Sequence, residues 1–125
     1  MEPTPGLQAT VTRVVTGDDT AAALGSGDVD VLGTPAVVAL CEAAAVKAVA
    51  EALSDGQTSV GAHIHVEHLA PTRVGSSVSA TAVLTIVEGR KLGFTIEASD
   101  EAGVIARGTH ARVVVDRERF VQGAR

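Results

Sequence analysis

A chain of 125 residues, 46% hydrophobic and with a single cysteine, is long enough to bury an ordinary core without a disulfide or metal staple. Fifteen acidic against ten basic residues give a net charge of −5, and two Phe with no Trp or Tyr offer almost no stacking surface, so nucleic acid is excluded as a partner class. Glu42, Lys47 and Glu51 break the only long apolar run short of the ~18 uncharged residues of a membrane span, and Cys41 has no internal partner and no secretory signal ahead of it, so one cytoplasmic domain over residues 1–125 is expected.

Leu7, Ala9, Val11, Arg13 and Val15 alternate and predict a first strand, followed by an irregular stretch over 17–33 rich in Gly and Asp. Residues 35–53 form the one long helical run, with Thr34 in the N-cap position, Pro35 in the first turn and a stop at Ser54-Asp55-Gly56. Beyond it the chain alternates with period two. Val60, Ala62, Ile64 and Val66 share one strand face, Val74 to Val87 supply the next strand, Leu92, Phe94, Ile96 and Ala98 a third, and Val104 to Val115 the last. The turns at Pro71-Thr72-Arg73, Glu88-Gly89-Arg90 and Ser99 to Gly103 are short, which makes these neighbours antiparallel. The result is an α+β domain with one helix on a five-stranded sheet. Its exposed edge strands favour pairing across a two-fold axis, so a homodimer or higher homo-oligomer is expected.

At 100° per residue, Glu42 lies on the opposite side of the helix from Lys47 and Glu51, among Val38, Ala39, Ala45 and Val46. An unpaired carboxylate on an apolar surface costs several kcal/mol, so Glu42 needs a partner or a purpose. His68 ends the row of Val60, Ala62, Ile64 and Val66 and by strand parity faces the helix, where a carboxylate and an imidazole together activate water or a nucleophile. Taken singly, each has a structural reading as well, a snorkelling Glu and a hydrogen-bonded rim His. Thr34, two helical turns before Glu42, is on spacing alone an ordinary cap. His63 and His65 point to the other strand face and His110 is remote in sequence, so no metal site is expected. Gly25-Ser26-Gly27 lacks the Lys-Ser/Thr of a phosphate loop, and the Gly-x-Ser-x-Gly elbow of α/β-hydrolases is missing.

The segments GTPAVVALCEAAA, GAHIHVEHLAPTRVG, VEGRKLGFTIEASDEAG and GTHARVVVDRERF closely resemble the hot-dog thioesterases typified by the fluoroacetyl-CoA thioesterase, over about residues 29 to 120. The resemblance implies a hot-dog fold, a long central helix wrapped by a curved antiparallel sheet, and hydrolysis of an acyl-CoA without a cofactor. It assigns Thr34, Glu42 and His68 to catalysis and Gly61 and Arg112 to binding or orienting the thioester. The family's fluoroacetyl specialist carries an aromatic residue shortly before the Thr, where this chain has none between Gly25 and Gly33, so the implied substrate is a short or small acyl-CoA other than the fluoroacetyl one. Two rivals use the same fold. A non-catalytic acyl-CoA or small-ligand binding protein predicts binding without turnover, and an enoyl-CoA hydratase-like enzyme requires an Asp and a His near the helix start, where this chain offers Thr34 and Glu42.

Overall fold

The computed structural model describes residues 2–125. Strand β1 (Gln8–Val14) is followed by a 3-10 turn (Gly17–Asp19), a one-turn helix α1 (Ala21–Leu24) and the long helix α2 (Thr34–Val49), which ends in a 3-10 turn (Ala50–Ala52). Four strands follow, β2 (Gln57–His68), β3 (Ser77–Glu88), β4 (Lys91–Asp100) and β5 (Gly103–Asp116), and then a short helix α3 (Arg117–Gln122). The sheet order is β1-β3-β4-β5-β2 with every neighbour antiparallel, so β1 and β2 are its edges and α2 lies on one face. The expected pairing of β2 with β3 across Pro71-Thr72-Arg73 does not form: β1 occupies that edge of β3, and β2 crosses over to pair with β5. This is the hot-dog arrangement that the resemblance implied. Helices α1 and α3 fall in segments whose short, weakly periodic sequences carried no helical signal.

Val37, Cys41, Ala44, Ala45 and Val49 recur at helical spacing and are fully buried against Val78, Ala80, Ala82 and Leu84 of β3 and Leu92, Phe94, Ile96 and Ala98 of β4. Three alanines from β3 and β4 and two from α2 keep that contact close, which is how a core with so few aromatics packs. The outer stripe of α2, by contrast, leaves Ala39, Ala43, Val46 and Ala50 exposed at i, i+4, i+7, i+11 spacing. Lys47 donates to the Thr10 carbonyl at 3.2 Å, while Glu51 lies beyond the helix end in the 3-10 turn. Among the described residues no helix is long and apolar enough to cross a membrane.

Candidate active site

Helix α2 starts one residue earlier than its cap signal implied. Gly33, not Thr34, is the N-cap, and its carbonyl accepts from Ala36 at 3.0 Å and Val37 at 3.2 Å. A side chain would be crowded there, because a Cβ would stand 3.0 Å from both the Cα and N of Ala21. Thr34 is therefore the first helical residue, and its hydroxyl makes no cap bond. It lies 2.8 Å from Nδ1 of His68, the last residue of β2. The other ring nitrogen, Nε2, is enclosed without a protein partner, and a cavity of about 240 Å³ lined by Val31, Leu32, His68 and Pro71 opens alongside. The pair sits at the N-terminal end of α2, where the helix dipole favours developing negative charge.

Glu42 belongs to a second group. Its Oε2 accepts from Arg112 Nη1 at 3.1 Å and lies 3.9 Å from His110 Nε2, while the side chain stays 39% exposed. Arg112 is buried and tied down on its other side, with Nε donating to Ser59 Oγ at 2.9 Å and Nη2 to the Ser59 carbonyl at 2.9 Å. Its Nη1 also lies 3.1 Å from His110 Nε2. Burial pulls both Arg112 and His110 below their ordinary pKa values. Glu42 opposes the shift in each case. Gly61 completes the group by what it lacks: a Cβ there would stand 2.5 Å from Glu42 Oε2.

The expected strand face holds only in part. On β5, Arg112 and His110 are two residues apart and share a face, yet their partners on β2 are Gly61 and Ile64, three apart, because a bulge between Gly61 and His63 inserts one residue. Beyond the bulge, Ile64, Val66 and His68 face the helix as expected. Before it the parity reverses, so Ser59 and Gly61 face the site and Val60 and Ala62 turn away. His63 and His65 are exposed on the other face, also as expected.

Of the residues singled out in the sequence, Thr34 and His68 therefore meet each other, and Glu42 meets Gly61 and Arg112. The eight residues from Thr34 to Glu42 separate the two groups by about 12 Å along the helix. The anticipated carboxylate–imidazole pair exists, but its histidine is His110. Ser59 and His110 were missed as members of this cluster. His110 was legible, since it shares strand parity with Arg112, whereas Ser59 was concealed by the bulge. A groove of about 530 Å³ under α3, lined by Val113, Val114, Val115 and Phe120 among others, contains none of these polar groups.

Residues 15–118 match the family described as the fluoroacetyl-CoA-specific thioesterase. The chain belongs to that family. The fluoroacetyl-CoA thioesterase of Streptantibioticus cattleyicolor is 42% identical over 91 residues, which cover 73% of this chain and 66% of that protein, just under two thirds of its length. A solved structure of the fluoroacetyl-CoA thioesterase FlK superposes with a TM-score of 0.91 at 33% identity, covering 100% of both chains. A thioesterase superfamily member from Thermus thermophilus superposes with a TM-score of 0.89 at 27% identity, covering 98% of this chain and 91% of its own. Within the thioesterase family, then, this chain has its polar residues arranged as two clusters along one helix.

Proposed function

We propose that the protein hydrolyses a small acyl-CoA thioester to the free acid and CoA, using Glu42, His68 and Thr34 in one domain over residues 1–125. The observation that carries the reading is the half-open Glu42 carboxylate. Arg112 engages its Oε2, which fills the space left by the missing Cβ of Gly61, and Oε1 has no partner among the described residues. A carboxylate held by one oxygen presents the other to an incoming carbonyl or water. Glu42 Oε1 either attacks the thioester carbonyl, breaking the bond to sulfur and giving an anhydride that water then hydrolyses to the free acid and the restored carboxylate, or takes a proton from a water that attacks the carbonyl itself. CoA leaves as the thiolate and is protonated by solvent or, in the second case, by Glu42. Thr34 and His68 lie about 12 Å along the helix from Glu42 of the same chain, so in this reading they reach the carbonyl under attack from the second copy of a dimer, with the helix N-terminus of that copy at the developing oxyanion. A groove of about 340 Å³ lined by Val46, Ala50, Leu53, Gln57, Ser59 and Arg117 lies one helical turn beyond Glu42 on α2 and shares Ser59 with the Arg112 cluster, which makes it the candidate path for the pantetheine arm.

The functional unit in this reading is a homodimer. The 12-residue strand β2 is a sheet edge with one unpaired side, and the exposed stripe of Ala39, Ala43, Val46 and Ala50 on α2 runs beside the open site. Joining two copies along β2 covers both features. The buried free thiol of Cys41 fits a reducing cytoplasm. The test is turnover of an acyl-CoA panel, with and without a fluorinated acyl group, by the wild type, Glu42→Gln and His68→Ala. Loss of on the order of a hundredfold in kcat is expected for each variant. Undiminished turnover in both rules the assignment out. Single-turnover hydrolysis in heavy-oxygen water separates the two Glu42 roles, because direct attack leaves label in the carboxylate.

A further inference from the structure

We infer that His110 and Ser59 are positioning residues that hold Arg112 against Glu42, and that Arg112 keeps this position only while the imidazole of His110 is neutral. The inference rests on the reading of Glu42 as a working group of the thioesterase site, and its geometry comes from a cluster that includes neither Thr34 nor His68.

The hydrogen atoms of the cluster follow from its acceptors. His110 Nδ1 lies 2.7 Å from the carbonyl oxygen of His63, which only accepts, so Nδ1 carries the hydrogen. In the neutral ring Nε2 is then a bare acceptor, and it lies 3.1 Å from Arg112 Nη1, which only donates. Arg112 thus directs one Nη1 hydrogen to Glu42 and one to His110, while Nε and Nη2 are fixed by the hydroxyl and carbonyl of Ser59. Four of the five guanidinium hydrogens are engaged, and the plane of the group is set by residues other than Glu42. Nothing in this lattice tolerates a proton on His110 Nε2. Two donors would face each other at 3.1 Å, and the new imidazolium, 3.9 Å from Glu42 Oε2, would compete for the carboxylate that Arg112 now holds.

The surroundings of His110 are otherwise apolar. Phe94 of β4 stacks on the ring at a centroid distance of 6.0 Å and an interplanar angle of 30°. The charged and titratable groups that reach His110 are Arg112 on its own strand, Glu42 from α2 and His63 from β2, with nothing ionisable facing it from β4. Burial and the Arg112 charge favour the neutral ring, and the His63 carbonyl and Glu42 favour the protonated one, with burial the largest influence. The bulge that reverses the parity of β2 lies beside this lattice. His63, whose carbonyl fixes the tautomer, and Gly61, whose missing Cβ admits Glu42, are the two residues that flank the register shift.

The experiment uses the whole chain in three variants, with acetyl-CoA as the probe substrate. His110→Phe keeps the ring on Phe94 but removes the acceptor. His110→Gln supplies an amide oxygen near the Nε2 position that does not titrate. Ser59→Ala removes one anchor of Arg112. In the wild type, nitrogen NMR should show His110 as the Nδ1–H tautomer at neutral pH, taking up a proton at lower pH than an ordinary histidine, and the Arg112 Nε–H should exchange slowly. His110→Phe should lower kcat by on the order of tenfold with little change in KM, and His110→Gln should recover most of that loss and shift the acid limb of the rate profile to lower pH. Ser59→Ala should speed Arg112 Nε–H exchange without a matching fall in melting temperature. An Nε2–H tautomer, full kcat in His110→Phe, or an unmoved acid limb in His110→Gln each overturns the inference. If Glu42→Gln is fully active, the role given to Glu42 fails by itself, and the tautomer and the Arg112 exchange rate still decide whether His110 positions Arg112. Should His110→Phe fail to fold, the exchange measurement on Ser59→Ala and the rate profile of His110→Gln carry the test.

Discussion

Gly61→Ala separates the site from the fold more cleanly than removal of any polar residue. The backbone at Gly61 lies outside the left-handed region, so a side chain brings no conformational strain there. The added Cβ stands 2.5 Å from Glu42 Oε2, while Arg112 Nη1 at 3.5 Å and His110 Cε1 at 3.6 Å are in ordinary contact. An acceptable carbon–oxygen approach is about 3.4 Å, so the carboxylate has to retreat by roughly 0.9 Å. It is the end of a flexible, part-exposed side chain, so the retreat costs little in folding, and the substitution removes unfolded-state freedom worth about 0.4–1 kcal/mol. For catalysis, a displacement near 1 Å at the reacting group costs on the order of a hundredfold. Gly61→Ala should therefore melt within a few degrees of the wild type and lose about two orders of magnitude in kcat. Denaturant melts together with steady-state acyl-CoA hydrolysis check both halves. Wild-type turnover in a well-folded Gly61→Ala protein would refute the placement of Glu42 against β2.

The opposite pattern is expected at Gly108, where a Cβ would fall 1.7 Å from the carbonyl oxygen of His65 on the neighbouring strand. Backbone cannot yield as a side chain does, so Gly108→Ala should cost about 3 kcal/mol or more, read by urea unfolding, and a wild-type midpoint would contradict the β2–β5 register. Asp19 takes a bidentate contact from Arg13, at 2.8 and 3.1 Å, and bonds from Thr16, which together outweigh its burial and hold its carboxyl below the ordinary 3.8. Because the folded value is depressed, its stabilisation is fully present above the unfolded value and is lost as pH falls through the folded one. Asp19→Asn should therefore flatten acid unfolding below about pH 4, followed by circular dichroism. Burial pushes the Cys41 thiol up to about 11, so a thiol reagent should label the protein only in denaturant, and rapid native labelling would show that α2 opens locally.

Much of this architecture is legible in the sequence because two periodicities are clean. Helix α2 carries its buried face on Val37, Cys41, Ala44, Ala45 and Val49, and β3 and β4 alternate with hardly a break, so the helix, the strands and the β3-β4-β5 antiparallel run follow from spacing, whereas the short turn after β2 hid its crossing to the far edge beside β5. Thr34 was misplaced by one position because a Thr-Pro pair has the composition of a cap, whereas the capping residue is decided by tertiary crowding of Gly33 against Ala21. That single shift has a chemical consequence: a capping Thr would spend its hydroxyl on its own helix, and this one is free for His68.

The bulge on β2 is the harder case and the more instructive one. Strict alternation from Ile64, Val66 and His68 back towards the start of the strand places Val60 and Ala62 on the helix side, and both are apolar, so nothing in their composition warns of an error. The warning lies on the partner strand. The alternation of His110, Arg112 and Val114 is unbroken between β2 and the core, and a buried arginine there requires acceptors opposite it. Val60 and Ala62 supply none from their side chains; Ser59 supplies two oxygens, and Gly61 supplies the space through which Glu42 arrives. One inserted residue therefore converts a strand whose apolar alternation would seal the helix into one that opens on a charged cluster, while leaving His68 at the far end in its original phase. The two halves of the site depend on opposite parities of the same strand, and only an irregularity between Gly61 and His63 can supply both.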